Sequence, residues 1–592
     1  MREPRTGFVP RVWHRDHRIG LAGIVAATAL VLVAGFLGPS VVTLTLGPRK
    51  SLLPPWYLPH GVVVPNEWVV SALVWASIIV GGFGLWFAMR ALRDGWRPAW
   101  KRLFALGTAL SLLTITVPPL TSADVLMYAA YGRLQVLKID PYTITPAEIF
   151  RSQYDPVLHW TERPWQDTPS VYGPILSWSQ LAANKLGGTN MHDIVFWLQV
   201  CAVVPFIVMS LLVVMLAHGD AGRQARAALF TIANPLLIWA VVAGAHNEAM
   251  SVMFAVAAML MVRKTPFGAG IGIGLAGCAK ISIGIWGIAM LWAYRREPKK
   301  AALLCLGTLV PMGLAYGLWK PTAFFQAIRN GGYVSVGSWV NPMYTLFAHL
   351  TTPRTGKIIV GVISYLVLIF IAWILSRVVP WRAAPGLPAG ADPQRDPLTI
   401  ALRTALVIST AWLVSSMYTL SWYDLIAWAP LAVLAGTRLD SVMVFRGVPL
   451  SLAYVPGRAI EFGHALDVTA HRIRDTLSPI AQILVLVMIV LWWRDPERRQ
   501  LLWWPFPKPR RWTDRPHHEH STGPDHDTDG LTVTVTDQPS DPVRERSGAG
   551  AGPAAGTASV VAPPAHTPPG PAARPPRVPA GPGPDDPAGL PR

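Results

Sequence analysis

The chain contains a long series of apolar runs, and this series limits its possible folds more than any other feature. The runs recur from about residue 19 to about residue 494 of the 592-residue chain. A helix of roughly 20 apolar residues crosses the hydrocarbon core of a bilayer. The composition agrees, because 52% of the residues are hydrophobic and only 14% are charged. The sequence therefore predicts an all-α polytopic membrane protein.

The apolar runs also set the expected number of membrane crossings. Nine runs are clear, and they lie at residues 19–40, 68–91, 103–120, 194–217, 228–245, 300–319, 357–379, 400–417 and 478–494. The stretches 249–294 and 424–456 contain further, shorter runs, so we predict about 12 to 14 crossings. No cleavable signal is evident, because the first run is too long. Cys201, Cys278 and Cys305 lie inside apolar runs and offer neither a disulfide framework nor metal-ligand spacing.

Lysine and arginine residues near the ends of the runs predict which side of the membrane each loop occupies. Residues 1–18 carry five arginines and form a basic cytoplasmic N-terminus, which the first transmembrane helices follow at 19–120. The alternation then places residues 121–192 outside, as a large extracytoplasmic loop with juxtamembrane helices. The remaining transmembrane helices and outer loops occupy residues 193–495. All the unusual polar motifs fall on the outer face.

The C-terminal part of the chain has a different composition. Residues 496–592 are first basic and then rich in Pro, Gly and Ala, with too little apolar content to fold. We expect a disordered cytoplasmic tail, and we interpret its HHEH cluster at 517–520 as a solvated run in preference to a metal site. The formal charge of +18 arises largely from inner-face residues that contact anionic membrane lipids, so nucleic acid is not an expected partner.

Several polar residues interrupt or border the apolar runs on the predicted outer side. Asp124 opens the first outer loop, where "TSAD" before an apolar run also indicates an ordinary helix start. The triplet His246, Asn247 and Glu248 has the alternative role of hydrogen bonding between helices. Lys280 lies between two short apolar runs, a common position for a lysine whose ammonium reaches the membrane interface. Each of these residues therefore has a structural as well as a functional interpretation.

At these positions the sequence resembles a known family. The segments that carry the resemblance are SADVLMYAAYGRL (122–134), DPY (140–142), TPSVYGPI (168–175), GAHNEAM (244–250), LSWYDLIAWAPLAVL (420–434) and LAYVPG (452–457). In this order they look like the polyprenyl-phosphomannose-dependent α-1,6-mannosyltransferases of actinobacterial lipoglycan assembly, which are glycosyltransferases of the GT-C fold. The resemblance covers residues 20–495. Two positions depart from the family pattern, because Glu248 replaces a common Asp and Lys138 replaces a frequent Gly.

The resemblance implies a specific chemistry for residues 121–192, which become a catalytic loop, and for the other outer loops. Mannose passes from polyprenyl-phosphate-mannose to a mannan or lipomannan acceptor with inversion, and α-1,6 linkages form at the outer face of the plasma membrane. Asp124 is then catalytic, as the general base that accepts the proton of the acceptor hydroxyl. We expect Lys280 to bind the phosphate. The other expected substrate-binding residues are Tyr128, Arg133, Asp140, Tyr172, His246, Asn247, Glu248, Arg329 and Trp422.

Other functions are left open by the sequence. An outer-face transferase for another lipid-linked sugar, for example arabinofuranose, needs the same chemical groups. A polytopic transporter is less favoured, because no matching helix interruption appears in another half of the chain. A noncatalytic scaffold does not explain the ordered outer loop. The sequence identifies no cofactor with certainty, and a divalent cation between Asp124 and Glu248 is left open because no ligand spacing demands it.

Overall fold

The structure of the chain is a computed structural model that describes residues 13–38, 40–47, 49–58, 65–161, 165–329, 333–455 and 463–494. Every regular element in these ranges is helical, and no strand is found within them. The first 12 residues lie outside the described residues, as do the predicted tail at 496–592 and its HHEH cluster. The all-helical architecture that the apolar runs predict is therefore confirmed for the described part of the chain.

The described chain contains 22 α-helices. Those of the first half are α1 (Trp13–Leu37), α2 (Val41–Thr45), α3 (Glu67–Arg93), α4 (Trp100–Thr114), α5 (Asp124–Val136), α6 (Pro146–Phe150), α7 (Pro174–Gly187), α8 (Met191–Leu216), α9 (Ala221–Phe230), α10 (Pro235–Leu237) and α11 (Glu248–Met261). Those of the second half are α12 (Pro266–Ala279), α13 (Gly284–Ala293), α14 (Pro298–Met312), α15 (Pro321–Arg329), α16 (Asn341–Leu350), α17 (Pro353–Val378), α18 (Pro397–Ser415), α19 (Leu425–Val433), α20 (Leu439–Leu452), α21 (His464–Arg472) and α22 (Ser478–Arg494). Short 3₁₀ or π-helical turns lie at Leu158–Trp160, Trp165–Asp167, Ile238–Val242, Ile281–Ile283, Gly313–Trp319, Ser421–Asp424 and Ile473–Leu477.

Eight helical stretches of the described chain are long and apolar enough to cross a membrane. They are Arg15–Thr45, Glu67–Arg93, Met191–Leu216, Ala221–Val242, Pro298–Trp319, Pro353–Val378, Pro397–Ser415 and His464–Arg494. Three shorter apolar helices are Glu248–Met261, Pro266–Ala279 and Ile281–Ala293. This pattern fits a polytopic membrane protein, whereas the larger number of crossings and the GT-C topology stay predictions.

Helices α1 and α3 pack closely because small residues face one another. A Cβ atom added to Gly84 would lie 2.8 Å from the backbone carbonyl carbon of Gly23, and one added to Gly20 would lie 2.6 Å from the backbone nitrogen of Ala88. Small residues allow helix backbones to approach in lipid, where dispersion contacts hold the helices together. A larger side chain at Gly84 would separate α1 from α3.

Helix α5 lies in the protein interior. Apart from Asp124 itself and three residues near its end, all of its residues are buried. The side-chain amide of Asn184 in α7 donates to the carbonyl of Ala129 at 3.0 Å. A Cβ atom on Gly132 would lie 2.3 Å from the carbonyl oxygen of Gln180, so α5 and α7 are in close contact. This packing fixes the direction in which α5 begins, and therefore the position of Asp124.

Four segments connect the surroundings of Asp124 with the opposite end of the helical bundle. They are α4, the run Ala221–Val242, α18 and α19. The second segment has 22 residues in two helical parts, Ala221–Phe230 and 235–242, which a turn at residues 231–234 joins. Residues that follow α4 and the second segment, and residues that lie between α18 and α19, thus meet at one end of the bundle.

Candidate active site

Two cavities meet at Asp124. The first has a volume of about 230 Å³ and is also lined by Ser335 and Arg474; we call it the serine cavity. The second has a volume of about 300 Å³ and is also lined by Glu248 and Lys280; we call it the lysine cavity. The lining residues that the two cavities share are Asp124, Trp165, Tyr333, Tyr418, Leu420 and Trp422. Among the described residues, Asp124 is the one charged side chain that faces both cavities.

Asp124 is the first residue of α5, and its side chain is 24% exposed. Its backbone N–H donates to the hydroxyl of Ser122 at 3.2 Å, and the N-terminus of a helix stabilises a carboxylate. Burial, reinforced by the negative charge of Glu248, raises the pKa of Asp124 to about 7, although the ammonium of Lys280 opposes the shift. A carboxyl group with a pKa near the working pH is well suited to accept and release a proton.

A buried histidine lies directly behind Asp124. Nδ1 of His246 is 3.6 Å from Oδ2 of Asp124 and 3.3 Å from the hydroxyl of Tyr128. The imidazole stacks on the indole of Trp422, with ring centroids 3.6 Å apart and planes inclined by 15°. Burial, with the positive charge of Lys280, lowers the pKa of His246 well below its usual range. The imidazole is therefore neutral at pH 7, and it lies against the carboxylate of Asp124 as a buried polar contact.

The backbone immediately before His246 is sterically constrained. Ala245 has a φ of +52°, in the left-handed region that residues other than glycine seldom adopt. A Cβ atom on Gly244 would lie 2.0 Å from Oγ1 of Thr121, which itself lies 3.2 Å from Nε2 of His246. Strained conformations of this kind persist where the surroundings fix them, and they cluster at functional sites. The segment GAHNEAM is therefore a tight turn that places His246 behind Asp124 and begins α11 at Glu248.

Lys280 and Glu248 form an ion pair in the wall of the lysine cavity. Lys280 has an extended backbone between α12 and the following turn, and its Nζ also lies 4.2 Å from the centre of the Tyr423 ring. Burial alone would lower the pKa of Lys280, but the carboxylate of Glu248 and the hydroxyl of Tyr423 together outweigh this effect and raise the pKa. The ammonium therefore stays charged at neutral pH beside the cavity.

The structure brings most of the predicted site residues together. Those that line the cavities are Asp124, Tyr172, Glu248, Lys280 and Trp422. Tyr128 and His246 are in contact with this group from behind, as described above. Asn247 is buried in the same turn, and neither atom of its side-chain amide has a hydrogen-bond partner in the described part of the chain.

Three other predicted residues are placed differently. Arg133 pairs with Asp155 at 2.8 Å, and it lines neither cavity. Asp140 accepts a hydrogen bond from the hydroxyl of Thr322 at 3.0 Å, and it too lines neither cavity. The side chain of Arg329 lies outside the described residues. The proposed substrate roles of Arg133 and Asp140 therefore have no support from the geometry of the cavities.

The sequence analysis did not identify most of the aromatic residues that line the two cavities, and it did not identify Arg474. The aromatic residues are Trp165, Tyr333, Trp412, Tyr418, Tyr423 and Tyr454, and they line one or both cavities. Tyr423 belongs to the SWYD motif and Tyr418 lies just before it, whereas Trp165 and Tyr333 carry no local signal. Arg474 donates from Nε to the carbonyl of Ala453 at 2.9 Å and lines the serine cavity. Aromatic faces beside a few polar groups are typical of a ligand site.

A buried ion pair supports the SWYD turn. Asp424 and Arg446 are almost completely inaccessible to solvent, and Oδ1 of Asp424 lies 3.0 Å from Nε of Arg446. Arg446 also donates from Nη2 to the hydroxyl of Thr419 at 2.8 Å. The pair therefore ties α20 to the segment that carries Trp422, and Trp422 in turn stacks on His246. An arginine in the apolar run of α20 was a signal for such a partner.

The described residues contain no group of three or more His, Cys, Asp or Glu side chains that could hold a metal ion. Asp124 and Glu248 both line the lysine cavity. The divalent cation that the sequence leaves open therefore stays an open prediction.

Fold and site together define a helical membrane protein with a carboxyl group at the junction of two aromatic-lined cavities. Residues 17–296 match a family described as "Alpha-(1->6)-mannopyranosyltransferase, N-terminal domain". The chain is thus similar to α-1,6-mannosyltransferases, and the resemblance predicted from its motifs is confirmed. The matched region contains Asp124, His246, Glu248 and Lys280.

Individual relatives agree with this result. A probable α-(1→6)-mannopyranosyltransferase of Mycolicibacterium smegmatis is 29% identical over 136 residues, which are 23% of this chain and 24% of the relative. An α-(1→6)-mannopyranosyltransferase of Mycobacterium tuberculosis is 29% identical over 136 residues, 23% of each chain. The α-(1→6)-mannopyranosyltransferase A of Corynebacterium glutamicum is 25% identical over 207 residues, 32% of this chain and 41% of the relative. The matches thus span about a quarter to two fifths of these relatives, and no solved structure matches.

Proposed function

We propose that the protein transfers mannose from polyprenyl-phosphate-mannose to a mannan or lipomannan acceptor and forms α-1,6 linkages at the outer face of the plasma membrane. One observation carries the proposal: Asp124 stands at the junction of two cavities, within the region that is similar to α-1,6-mannosyltransferases. A transferase needs two adjoining subsites with a base between them, and this arrangement provides them.

The reaction assigns a role to each cavity. The donor phosphate lies in the lysine cavity and the acceptor lies in the serine cavity. Asp124 accepts the proton of the acceptor hydroxyl while the hydroxyl oxygen forms a bond to the anomeric carbon of mannose. The bond from that carbon to the phosphate oxygen breaks on the opposite side, and the phosphate leaves with the bonding electrons. The configuration at the anomeric carbon is thereby inverted.

Lys280 stabilises the negative charge that develops on the leaving phosphate. Its ammonium is kept charged by Glu248 and lies in the cavity wall, where burial strengthens an electrostatic interaction. Glu248 in this account is a positioning residue for Lys280. The aromatic rings of Tyr418 and Trp422 provide flat apolar faces for a sugar ring at the junction of the two cavities.

His246 acts through Asp124. As a neutral, fully buried imidazole it contributes no charge, but its contacts with Tyr128 and Trp422 fix the ring 3.6 Å behind the carboxylate at the start of α5. The hydroxyl groups of a sugar are suitable partners for the buried amide of Asn247, which otherwise has none among the described residues. The triplet His246, Asn247 and Glu248 thus supports the site from one tight turn.

The distribution of arginine favours the outer face for the site. The end of the bundle opposite Asp124 carries Arg93, Arg97, Arg223, Arg226 and Arg382 around one cavity. Positively charged residues at the ends of membrane helices are enriched on the cytoplasmic side. Because four segments join the two ends, this distribution supports an extracytoplasmic position for Asp124.

The proposal is tested with the purified full chain in detergent. Radiolabelled polyprenyl-phosphomannose and polyprenyl-phosphoarabinose are offered in parallel with a short α-1,6-mannoside acceptor, and the linkage of the product is determined. We expect transfer from the mannose donor alone and a new α-1,6 bond. Transfer from the arabinose donor alone would assign a different donor sugar. Transfer of neither sugar to the acceptor would contradict a function as a transferase.

A further inference from the structure

A third cavity lies at the end of the bundle opposite Asp124, and nothing in the proposed reaction uses it. It has a volume of about 620 Å³, larger than either cavity at Asp124. Its charged lining residues are Arg93, Arg97, Asp220, Arg223, Arg226 and Arg382. We call it the arginine cavity. Five guanidinium groups and one carboxylate thus face one partly open space.

Internal ion pairs neutralise only part of this charge. Asp440, behind the wall, accepts two hydrogen bonds from Arg226, at 2.7 Å and 2.6 Å, and lies 3.9 Å from Arg93. Asp220 lies 3.2 Å from Arg223. With Asp94, whose negative charge also acts on Arg93, these carboxylates are still outnumbered by the five arginines that line the cavity. Like charges this close repel one another, and a bound anion with more than one negative charge relieves the repulsion.

One guanidinium in the cavity is uncommitted. Arg382 is only partly exposed, and it makes no hydrogen bond or ion pair with the described residues. In contrast, Arg226 is held by Asp440 and by the carbonyls of Leu431 and Leu434. The rigid fork of donors on arginine matches the oxygen atoms of a phosphate group. Arg382 is therefore placed to bind a phosphate, while Arg226 is part of the wall.

The shape of the cavity also suits a phosphate ester. Gly222 and Gly436 border it, and a Cβ atom on Gly436 would lie 3.3 Å from Oδ2 of Asp440 and 3.6 Å from Nη1 of Arg226. The absence of side chains at these glycines keeps the space open. Met89 and Leu92 add an apolar wall, which accommodates the carbon skeleton attached to a phosphate.

We propose that the arginine cavity is a binding site for a phosphate-bearing anion, either the headgroup of an anionic phospholipid or a free phosphate or diphosphate. The site is separate from the one that handles the donor sugar, because the two lie at opposite ends of segments such as Ala221–Val242. A ligand held there bridges α3, α9 and the loop before α18, so its binding stabilises the folded protein.

The test compares Arg382→Gln with Arg395→Gln in the purified, delipidated full chain. The two arginines lie in the same loop, and each change removes one positive charge. Arg395 is the matched control because its side chain is 83% exposed, pairs with Asp392 in the same loop, and does not line the arginine cavity. Arg97→Gln is a second cavity variant, and it replaces Arg382→Gln in the comparison if Arg382→Gln does not fold.

Two arms distinguish the sources of the phosphate. In the first, native mass spectrometry measures retention of phosphatidylglycerol against phosphatidylcholine with the same acyl chains. In the second, the unfolding temperature is measured during titration with inorganic phosphate and with pyrophosphate. We expect the wild type and Arg395→Gln to bind in at least one arm, and the cavity variant to bind about tenfold more weakly, the effect of losing one charge-assisted contact.

The outcomes distinguish a lipid headgroup from a soluble anion, and both from failure of the proposal. Selective loss of phosphatidylglycerol assigns the site to a lipid headgroup, and selective loss of the response to phosphate or pyrophosphate assigns it to a soluble anion. Equal binding by the cavity variant and Arg395→Gln in both arms overturns the proposal, as does the absence of binding by the wild type in both arms. The measurement is independent of mannosyl transfer, so its failure leaves the proposed function unaffected.

Discussion

Replacement of Asp124 by Asn is expected to stabilise the protein at and above neutral pH. The pKa of Asp124 is raised from 3.8 to about 7 in the folded state. At pH values between these two, the folded protein holds a proton that the unfolded chain has released, so stability falls as the pH rises through this window. Above about pH 7 the fall is complete, because both states are then ionised. Asn resembles the neutral acid, and it avoids the cost of burying the charge.

The size of this effect follows from the shift. The difference of about 3.2 between the pKa values of 3.8 and about 7 corresponds to about 4.4 kcal/mol, at 1.36 kcal/mol per pKa unit. Because the side chain is 24% exposed, solvent screens part of the effect, and we expect about 2 to 4 kcal/mol. The gain is therefore large compared with typical surface substitutions, which change stability by about 0.5 kcal/mol or less.

The assay is thermal unfolding followed by intrinsic fluorescence of the 26 tryptophans, at pH values from about 4 to about 8. The control is Asp167→Asn in the same segment of the chain, whose carboxylate is 49% exposed and pairs with Arg151. We expect the unfolding temperature of Asp124→Asn to equal that of the wild type at the acid end and to exceed it increasingly up to pH 7. A difference independent of pH, or a variant less stable than the wild type at pH 8, would refute the reasoning.

Three further predictions concern the site and its support. In wild-type kinetics, kcat/KM is expected to rise with pH and to level off above about 7, as Asp124 becomes a carboxylate. Glu248→Gln should move this rise to lower pH, because the negative charge that raises the pKa of Asp124 is removed; an unmoved profile would contradict the coupling. Lys280→Met should lower kcat/KM for the lipid-linked donor by roughly 10- to 100-fold, which is the effect of losing a charged hydrogen bond. The control Lys320→Met lies outside both cavities and should leave kcat/KM unchanged. Arg446→Met should cost about 3 to 5 kcal/mol by leaving Asp424 buried without its partner, and addition of Asp424→Leu should recover much of that loss, as measured by chemical unfolding.

The sequence predicted the helical architecture because its signal is local. Each apolar run carries the length and composition of a membrane helix within itself, so the runs at 68–91 and 194–217 correspond closely to α3 and α8. The start of α5 at Asp124 was also readable, since "TSAD" before an apolar stretch is a helix-start pattern.

The cavities were not predictable in the same way, because they are formed by residues distant in the chain. Asp124, Tyr333 and Arg474 meet at the serine cavity although 350 residues separate the first from the last. The ion pair between Asp424 and Arg446 was not predictable either. The sequence around each residue does not indicate which of several charged groups it contacts in the fold. Periodicity determines which face of a helix is apolar, but the packing of the whole bundle decides which polar residues converge.

The arginine cavity shows the same limit. Its arginines come from the end of α3, the start of α9 and the loop before α18, where the positive-inside pattern explains each one separately. That pattern gives no reason to expect them around a common space. Their convergence depends on how α3, α9 and the loop before α18 pack together in the folded bundle.

The most direct test of the central claim is the rate of mannosyl transfer by Asp124→Asn, measured beside wild type and Asp167→Asn with saturating polyprenyl-phosphomannose and an α-1,6-mannoside acceptor. Size-exclusion chromatography first checks that Asp124→Asn is folded, by an unchanged elution volume. If Asp124 is the general base, the folded variant transfers mannose about 10² to 10⁴ times more slowly than the wild type. Asp167→Asn is expected to transfer at the wild-type rate. Transfer by folded Asp124→Asn within a few-fold of the wild type would contradict the account.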